Sequence, residues 1–334
     1  MTKLTDKLNR PLLDLRLSLI DICNFRCTYC MPAEYDYKFL KDRDRMTHEE
    51  IIRLVKIFTK LGAERVRLTG GEPLLRPDLP AIVKEITDGI SLKDLALTTN
   101  AQLLEKHARD LKDAGLRRVT VSLDALDPQI FLEMSGRRGS LNSVVKGIDK
   151  ALEVGLTPLK LNCVLEKGVN DSQILPLARF AYERGIVVRF IEFMDVGNKN
   201  QWLLDRVVSS KDVIKVLQEE FELEAQGSAF YGEVASHYNF KDKAGGIGLI
   251  SSVTQPFCSS CTRGRLSAAG HFYTCLFAEE GVDLLTPLRD GASDEAVAKL
   301  ITEIWNGRTD RYSEERAVGS DKKRRKVEMF HIGG

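Results

Sequence analysis

The sequence lacks a strong net charge and lacks long apolar runs. Its 334 residues carry 49 lysines and arginines against 48 aspartates and glutamates, a formal net charge of +1. This balance gives no overall attraction to nucleic acid or to an anionic membrane, so we expect neither as a partner. No run of about 18 apolar residues occurs, so no transmembrane helix is predicted. The first residues also lack the features of a secretory signal, so we expect a cytoplasmic protein.

The sequence has an odd number of cysteines, seven, and lacks the even count that a disulfide framework needs. A reducing compartment also disfavours disulfides. Six of the seven cysteines form two groups of three, namely Cys23, Cys27 and Cys30, and Cys258, Cys261 and Cys275. The seventh, Cys163, lies in an apolar segment and is expected in the core. The two groups therefore predict two metal sites, each with three thiolate ligands.

Short apolar segments alternate with helical patterns over the first two hundred residues. Six such segments have strand character: 14–20, 65–70, 95–100, 118–124, 159–165 and 187–193. Helices are predicted between them, for example at 47–62 and 101–115, where the apolar spacing is helical and a glycine ends the pattern. Thr47 and Glu50 predict a capping box. The series predicts an α/β fold with a parallel sheet, either open and doubly wound or an incomplete barrel.

Glycines and polar residues stand where these strands end. The first cysteine group follows the first strand, and "TGGEP" (69–73) ends the second. Thr98 lies near the end of the third strand, Ser122 near the end of the fourth, and Met194 follows the sixth. Carboxyl ends of parallel strands meet on one side of a sheet or barrel, so we expect these residues to lie together.

The first cysteine group has the spacing C-x3-C-x2-C. Structural zinc takes four ligands, and the nearest histidine, His48, is too distant in sequence to complete this set. A four-iron cluster held by three thiolates keeps one iron open for a substrate or cofactor. Tyr29, between the last two cysteines, places an aromatic ring beside such a cluster, where an adenine could lie against it.

This cysteine loop and the "GGEP" motif resemble the radical S-adenosylmethionine superfamily, with Tyr29 in its aromatic position. The resemblance implies a [4Fe-4S] cluster whose open iron binds S-adenosylmethionine. One-electron reduction then releases a 5′-deoxyadenosyl radical. Gly70 and Gly71 permit close approach of the backbone to a ligand, and we expect their N–H groups to receive the methionyl end of the cofactor.

The second cysteine group has the spacing C-x2-C-x13-C. His271 could complete a Cys3His zinc site, so zinc stays open on spacing alone. Arg263 and Arg265 closely follow the first two of these cysteines, and paired guanidinium groups suit a phosphate-bearing substrate.

Motifs along nearly the whole chain resemble the GTP 3′,8-cyclase family. They include "DLRLSL", "RLTGGEPL", "RFIEFMDVG", "DRYSEER" and the final "HIGG". The resemblance implies an incomplete (β/α)6 TIM-like barrel over residues 1–228. It also implies a C-terminal region, 229–334, with a second [4Fe-4S] cluster and a glycine tail. One departure is Ala101, where the family has glycine, which predicts a strained turn if that backbone needs a positive φ.

The resemblance also implies the reaction and its residues. The protein would cyclise GTP to (8S)-3′,8-cyclo-7,8-dihydroguanosine 5′-triphosphate, the first step of molybdenum cofactor biosynthesis. Its product would pass to cyclic pyranopterin synthase, and an electron donor is required. The cofactor would be held by Tyr29, Gly71, Ser122 and Met194. GTP would be held by Arg16, Arg67, Thr98, Lys160, Arg263, Gly264 and Arg265. Catalytic roles would fall to Arg263, Arg265, Gly333 and Gly334. A homodimer is among the open oligomeric states.

Two other functions stay open. One is a radical S-adenosylmethionine enzyme that modifies a peptide and carries an auxiliary cluster. The other is a zinc-stabilised nucleic-acid-binding protein, which predicts zinc without iron and binding that weakens steeply with salt. An anaerobic count of iron separates the zinc protein from both radical enzymes.

Overall fold

Six parallel strands confirm the predicted strand–helix series. In the computed structural model, which describes residues 4–316 and 325–333, they are β1 (Asp14–Ser18), β2 (Arg65–Thr69), β3 (Asp94–Thr99), β4 (Arg118–Ser122), β5 (Lys160–Leu165) and β6 (Val187–Glu192). They lie side by side in chain order, and each pairs in parallel with the next. Each strand matches one of the apolar segments found in the sequence.

Helices occupy the connections, as the periodicity predicted. They are α1 (His48–Lys60), α2 (Leu79–Gly89), α3 (Leu104–Asp113), α4 (Pro128–Met134), α5 (Leu141–Glu153) and α6 (Ile174–Arg184). The capping box at the start of α1 is confirmed, because Thr47 Oγ1 accepts from the Glu50 N–H and the Glu50 carboxylate accepts from the Thr47 N–H. Such reciprocal bonds satisfy two donors that the first turn leaves without helical partners.

The C-terminal part of the chain extends the same sheet at both edges. Its strands are β7 (Leu223–Gln226), β8 (Ser236–Phe240), β9 (Gly246–Ile250), β10 (Arg263–Leu266), β11 (His271–Tyr273) and β12 (Val282–Asp283). β9 pairs in parallel with β6, and β10 pairs in parallel with β1. The sheet order is β12-β11-β10-β1-β2-β3-β4-β5-β6-β9-β8-β7, which is the incomplete barrel that was predicted, lengthened by the C-terminal region.

Five further helices complete the described chain: α7 (Ser210–Leu217), α8 (Leu285–Arg289), α9 (Asp294–Asn306), α10 (Tyr312–Arg316) and α11 (Met329–Ile332). None of the helices in the described ranges is both long enough and apolar enough to cross a membrane. The division of the chain between residues 228 and 229 stays a prediction, since β7 and β8 pair across it within one sheet.

Alternation along the strands separates an apolar core from a charged interior. Leu17 on β1 and Leu68 on β2 are fully buried in the cluster that packs against the helices. Their neighbours Arg16 and Arg67 line cavities on the other face of the sheet. Because successive side chains of a strand point to opposite faces, charged residues at every second position converge inside the barrel.

Candidate active site

The first cysteine group lies in the loop after β1, as expected. Backbone turns hold this loop, since the N–H groups of Cys30 and Met31 both donate to the Cys27 carbonyl, at 3.0 and 2.9 Å. The Cys23 sulfur accepts from the Phe25 N–H at 3.4 Å. Burial is the main cause that raises the pKa of Cys27 well above its usual range, and Asp124, Cys23 and Cys30 raise it further. The turn therefore keeps Cys27 and Cys30 close together.

This donor set fits a four-iron cluster. Across residues 4–316 and 325–333, no three His, Cys, Asp or Glu side chains converge on a position for one metal ion. The thiolates that hold a [4Fe-4S] cluster bind separate irons, so they do not need to meet at one point. Burial, followed by the charge of Glu72, raises the pKa of Cys23 to about 12. Binding of a cluster would therefore have to displace protons from these thiols.

The two glycines of "TGGEP" pack against the start of the cysteine loop. A Cβ at position 71 would lie 2.2 Å from the Ile22 carbonyl oxygen, and Gly70 has φ +145°. Only glycine allows this contact. The Gly71 N–H donates to the Ile20 carbonyl at 2.6 Å. Gly71 thus lets β2 lie close to the cysteine loop. Its N–H, expected to receive the methionyl end of the cofactor, is instead bonded to Ile20. Any other contact of Gly71 with the cofactor stays a prediction.

The other predicted cofactor residues lie near the carboxyl ends of the strands. The Tyr29 ring is buried with Met134 and Phe193, and its hydroxyl donates to an Asp124 oxygen at 2.8 Å. Ser122 lies at the end of β4, in register with a residue of β5. Met194 lines a cavity of about 160 Å³ that reaches the second cysteine group. Contacts of these residues with S-adenosylmethionine stay a prediction.

Two adjoining cavities fill the interior of the barrel. The larger, about 470 Å³, lies at the amino ends of β1–β5 and includes Lys160 in its wall. The smaller, about 160 Å³, is lined by Thr98 and by the three cysteines of the second group. Arg16, Arg67 and Arg263 belong to the walls of both. The structure thus brings the predicted substrate residues close to the second cysteine group, except Gly264, which lines neither cavity.

Three arginines stand side by side on neighbouring strands. In the register of the sheet, Arg16 of β1 is opposite Arg265 of β10 on one side and Arg67 of β2 on the other. Burial, followed by the charges of Arg265 and Arg67, lowers the pKa of Arg16 well below its usual range. Burial and then Arg263 lower the pKa of Arg265 to about 10. Adjacent buried cations of this kind favour binding of an anion.

Two more cations, Lys160 on β5 and Arg189 on β6, line the larger cavity. Burial and then Arg189 and Arg118 lower the pKa of Lys160 to about 8. Sequence reasoning missed Arg189, which lines both cavities. Its Nε is buried and has no hydrogen-bond partner among the described residues. The segment "VVRFIEF" could have identified it, since Arg189 is a cation within a strand whose other residues are mostly apolar. In the structure Arg189 lies in register with Gly248 and Asn162.

The second cysteine group is surrounded by arginines. The Cys261 sulfur accepts from Arg263 Nη2 and from Arg308 Nη2, both at 3.2 Å. Burial raises the pKa of Cys261, but Arg263 and Arg308 outweigh it and lower the pKa to about 6. His271, the alternative zinc ligand, lies on β11 opposite Asp283 and is not part of the cavity wall that the three cysteines form. Arg308 was missed because it is far from the motif in sequence.

Gly333, the last described residue, lies beside the arginine row. An Arg265 guanidinium nitrogen donates to the Gly333 carbonyl and, at 3.4 Å, to the Ile332 carbonyl. Gly333 has φ +68°, and a Cβ there would lie 2.4 Å from Thr69 Cγ2. The positive φ favours glycine, and the close approach to Thr69 leaves no room for a side chain. The other predicted tail residue, Gly334, lies outside the described residues.

Comparison with known proteins gives matches along the whole chain. One family model, described as the Radical SAM superfamily, matches residues 17–181, and another, Molybdenum Cofactor Synthesis C, matches 186–314. The GTP 3′,8-cyclases of Staphylococcus carnosus and Staphylococcus saprophyticus are 45% and 44% identical, covering 99% of this chain and 99% of theirs. SuiB of Streptococcus suis, solved bound to S-adenosylmethionine, has a TM-score of 0.59 over 95% of this chain and 71% of its own. Because the two sequences are only 15% identical, this likeness shows a shared fold and nothing about function.

Proposed function

This chain belongs to the GTP 3′,8-cyclase family, and from that membership we propose that it cyclises GTP to (8S)-3′,8-cyclo-7,8-dihydroguanosine 5′-triphosphate. This reaction is the first step of molybdenum cofactor biosynthesis, so the product passes to cyclic pyranopterin synthase. The observation that carries the proposal is the row formed by Arg265, Arg16 and Arg67 on three adjacent strands. These cations line cavities that the second cysteine group also reaches.

The arginine row suits the triphosphate of GTP. GTP carries roughly four negative charges, and guanidinium groups bind phosphate oxygens with charge-assisted hydrogen bonds. Before substrate binds, burial and mutual repulsion disfavour the charged forms of Arg16 and Arg265. A bound polyanion reverses that repulsion. Lys160 on β5 and Thr98 on β3 extend the same contact surface.

The first cysteine group supplies the ligands for one [4Fe-4S] cluster. Cys23, Cys27 and Cys30 would hold this cluster, and Met194 and Ser122 would contact the S-adenosylmethionine that it binds. When bound there, S-adenosylmethionine supplies radical chemistry that removes a hydrogen atom from the substrate ribose. The contribution of the chain is to hold the ribose at the right distance and to exclude water. A one-electron donor would have to reduce this cluster.

The second cysteine group is proposed to hold a second [4Fe-4S] cluster rather than zinc. Cys258, Cys261 and Cys275 lie in the wall of the smaller cavity. These three cysteines would hold the cluster, which would be open to the guanine base on the side of the cavity. Arg263 and Arg265 belong to β10, which starts two residues after Cys261. The same short segment therefore places both the cluster ligands and the phosphate-binding cations.

The C-terminal glycines are proposed to act beside the arginine row as well. Arg265 donates to the carbonyl of Gly333, which brings Gly333 to the arginine row. We assign Gly333 and Gly334, with Arg263 and Arg265, to the positioning of the reacting nucleotide. Glycine suits position 333 because any side chain there would collide with Thr69.

An anaerobic iron count followed by turnover tests the proposal. The purified full-length protein is expected to hold about eight irons and eight sulfides per chain. A variant with Cys258, Cys261 and Cys275 changed to alanine is the matched control and should hold about four. Reduced protein with S-adenosylmethionine and GTP should yield 5′-deoxyadenosine and the cyclised nucleotide together. Zinc in place of iron, or turnover that requires a peptide in place of GTP, contradicts the proposal.

A further inference from the structure

Two buried arginines contact the second cysteine group but stand outside the arginine row. Arg308 follows α9, and Arg10 precedes β1. Both side chains are at most 1% exposed. A buried cation is costly unless a negative group or several acceptors surround it. The contacts of these two arginines therefore indicate their role.

Arg308 is fixed on Cys261 by two hydrogen bonds. Its Nη2 donates to the Cys261 sulfur at 3.2 Å, and its Nη1 donates to the Cys261 carbonyl at 2.8 Å. Its Nε donates to Asp310 at 3.3 Å, and the guanidinium lies 4.5 Å from the centre of the Trp305 ring. Every nitrogen of this side chain already has an acceptor. Arg308 is thus placed to hold a cysteine ligand rather than to bind the substrate.

Arg10 and Asp6 hold this arrangement from the other side. Asp6 accepts from Arg10 Nε at 2.6 Å and lies 3.5 Å from Arg308 Nη1. Arg10 Nη1 donates to the carbonyls of Cys258 and Asp310, both at 2.8 Å. Its Nη2 is buried, has no partner within the described part of the chain, and belongs to a residue of the cavity wall. That donor is available to a group bound between the cysteines.

We propose that Arg308, held by Asp6 and Arg10, positions Cys261 and raises the redox potential and the retention of the second iron–sulfur cluster. This inference rests on the proposed function, which supplies that cluster. A [4Fe-4S] cluster becomes more negative when it gains an electron. Cations and N–H donors directed at a ligand sulfur stabilise the reduced form and so raise the potential. The bidentate contact also fixes the sulfur for coordination.

The test uses full-length protein in which Cys23, Cys27 and Cys30 are changed to alanine, so that only the second cluster is observed. In this background, Arg308→Gln and Arg308→Lys are compared with the unchanged background. Arg53→Gln is the matched control, because Arg53 also forms an ion pair with an aspartate, Asp294 at 2.7 Å, but contacts none of the described cysteines. An anaerobic redox titration followed by electron paramagnetic resonance gives the potential. Release of iron to a chelator gives the retention.

Arg308→Gln is expected to shift the potential downward and to release iron on the order of tenfold faster. Arg308→Lys should recover part of the potential, since it keeps the charge. It should still release iron faster, because one ammonium group cannot bridge the sulfur and the carbonyl as the planar guanidinium does. Arg53→Gln should match the unchanged background in both measurements. If Arg308→Gln does not fold, Arg308→Lys decides through its iron release.

The outcomes separate this inference from the function beneath it. Wild-type protein with about four irons, and a triple-alanine background with none, would refute the second cluster itself. If the second cluster is present, and Arg308→Gln leaves its potential and its iron release unchanged, only the role of Arg308 is refuted. Equal changes in Arg308→Gln and Arg53→Gln would show a general loss of stability and would also refute that role.

Discussion

The depressed pKa of Lys160 predicts that GTP binding weakens as the pH rises above 8. Burial and then Arg189 and Arg118 lower this pKa to about 8, while Glu233 opposes them and Arg67 adds to them. In the free protein, the ammonium form is therefore lost within the working pH range of an assay. A bound triphosphate favours the ammonium form, so binding takes up a proton.

The expected magnitude follows from the protonated fraction. With a pKa of about 8, the fraction of Lys160 that carries a proton is about nine-tenths at pH 7 and about one-tenth at pH 9. If only the ammonium form binds the phosphates well, the dissociation constant of GTP rises about tenfold between these two values. The sign follows from the lowered pKa, because raising the pH removes the charge that attracts the anion.

Equilibrium binding of GTP to the reduced protein, measured from pH 7 to pH 9 at constant ionic strength, checks this prediction. Lys160→Arg is the matched control, since a guanidinium in this position stays charged over the range. Titration of GTP itself affects both proteins equally, so the difference between them reports on Lys160. A wild-type profile that coincides with that of Lys160→Arg would refute the reasoning.

Three further substitutions have effects that the structure defines. Gly333→Ala should cut GTP conversion about tenfold or more, because a left-handed backbone alone costs alanine about 1–2 kcal/mol and the new Cβ would lie 2.4 Å from Thr69. Gly89→Ala is the control, because the space around Gly89 is open, and equal activity of the two variants would contradict the prediction. Thr47→Ala should lower the free energy of unfolding by about 1 kcal/mol in a urea titration by removing the capping box, and an unchanged midpoint would count against that bond. Cys163→Ala should destabilise the protein by about 1 kcal/mol and keep the full iron count, whereas loss of iron would show that Cys163 is a ligand.

The series of strands and helices was predictable because its signals are local. Six apolar segments separated by helical patterns predict β1–β6, whereas the choice of an incomplete barrel over an open sheet came from the resemblance to a family. The additions at the sheet edges were not predictable. β9 pairs with β6, and β10 pairs with β1, although each partner lies far away in sequence. Such pairing depends on tertiary packing, for which short-range periodicity carries no information.

The same limit divides the predicted site residues from the missed ones. The motif arginines Arg263 and Arg265 were found because they stand beside cysteines. Arg308 was missed because its contact with Cys261 spans 47 residues of sequence. The turn at Ala101, by contrast, was predictable from a local motif. The departure from glycine predicted strain if φ was positive, and φ is +60° there.

One short strand connects the two halves of the proposed chemistry. β10 begins two residues after Cys261, and its alternation directs Arg263 and Arg265 into the cavities while Gly264 faces the core. A Cβ at position 264 would lie 2.8 Å from Phe272, so glycine lets β10 lie close against its neighbours. Parallel pairing with β1 then sets Arg265 level with Arg16. A shift of the second cysteine loop would therefore move Arg263 and Arg265 as well, which would link the proposed second cluster to the proposed binding of GTP.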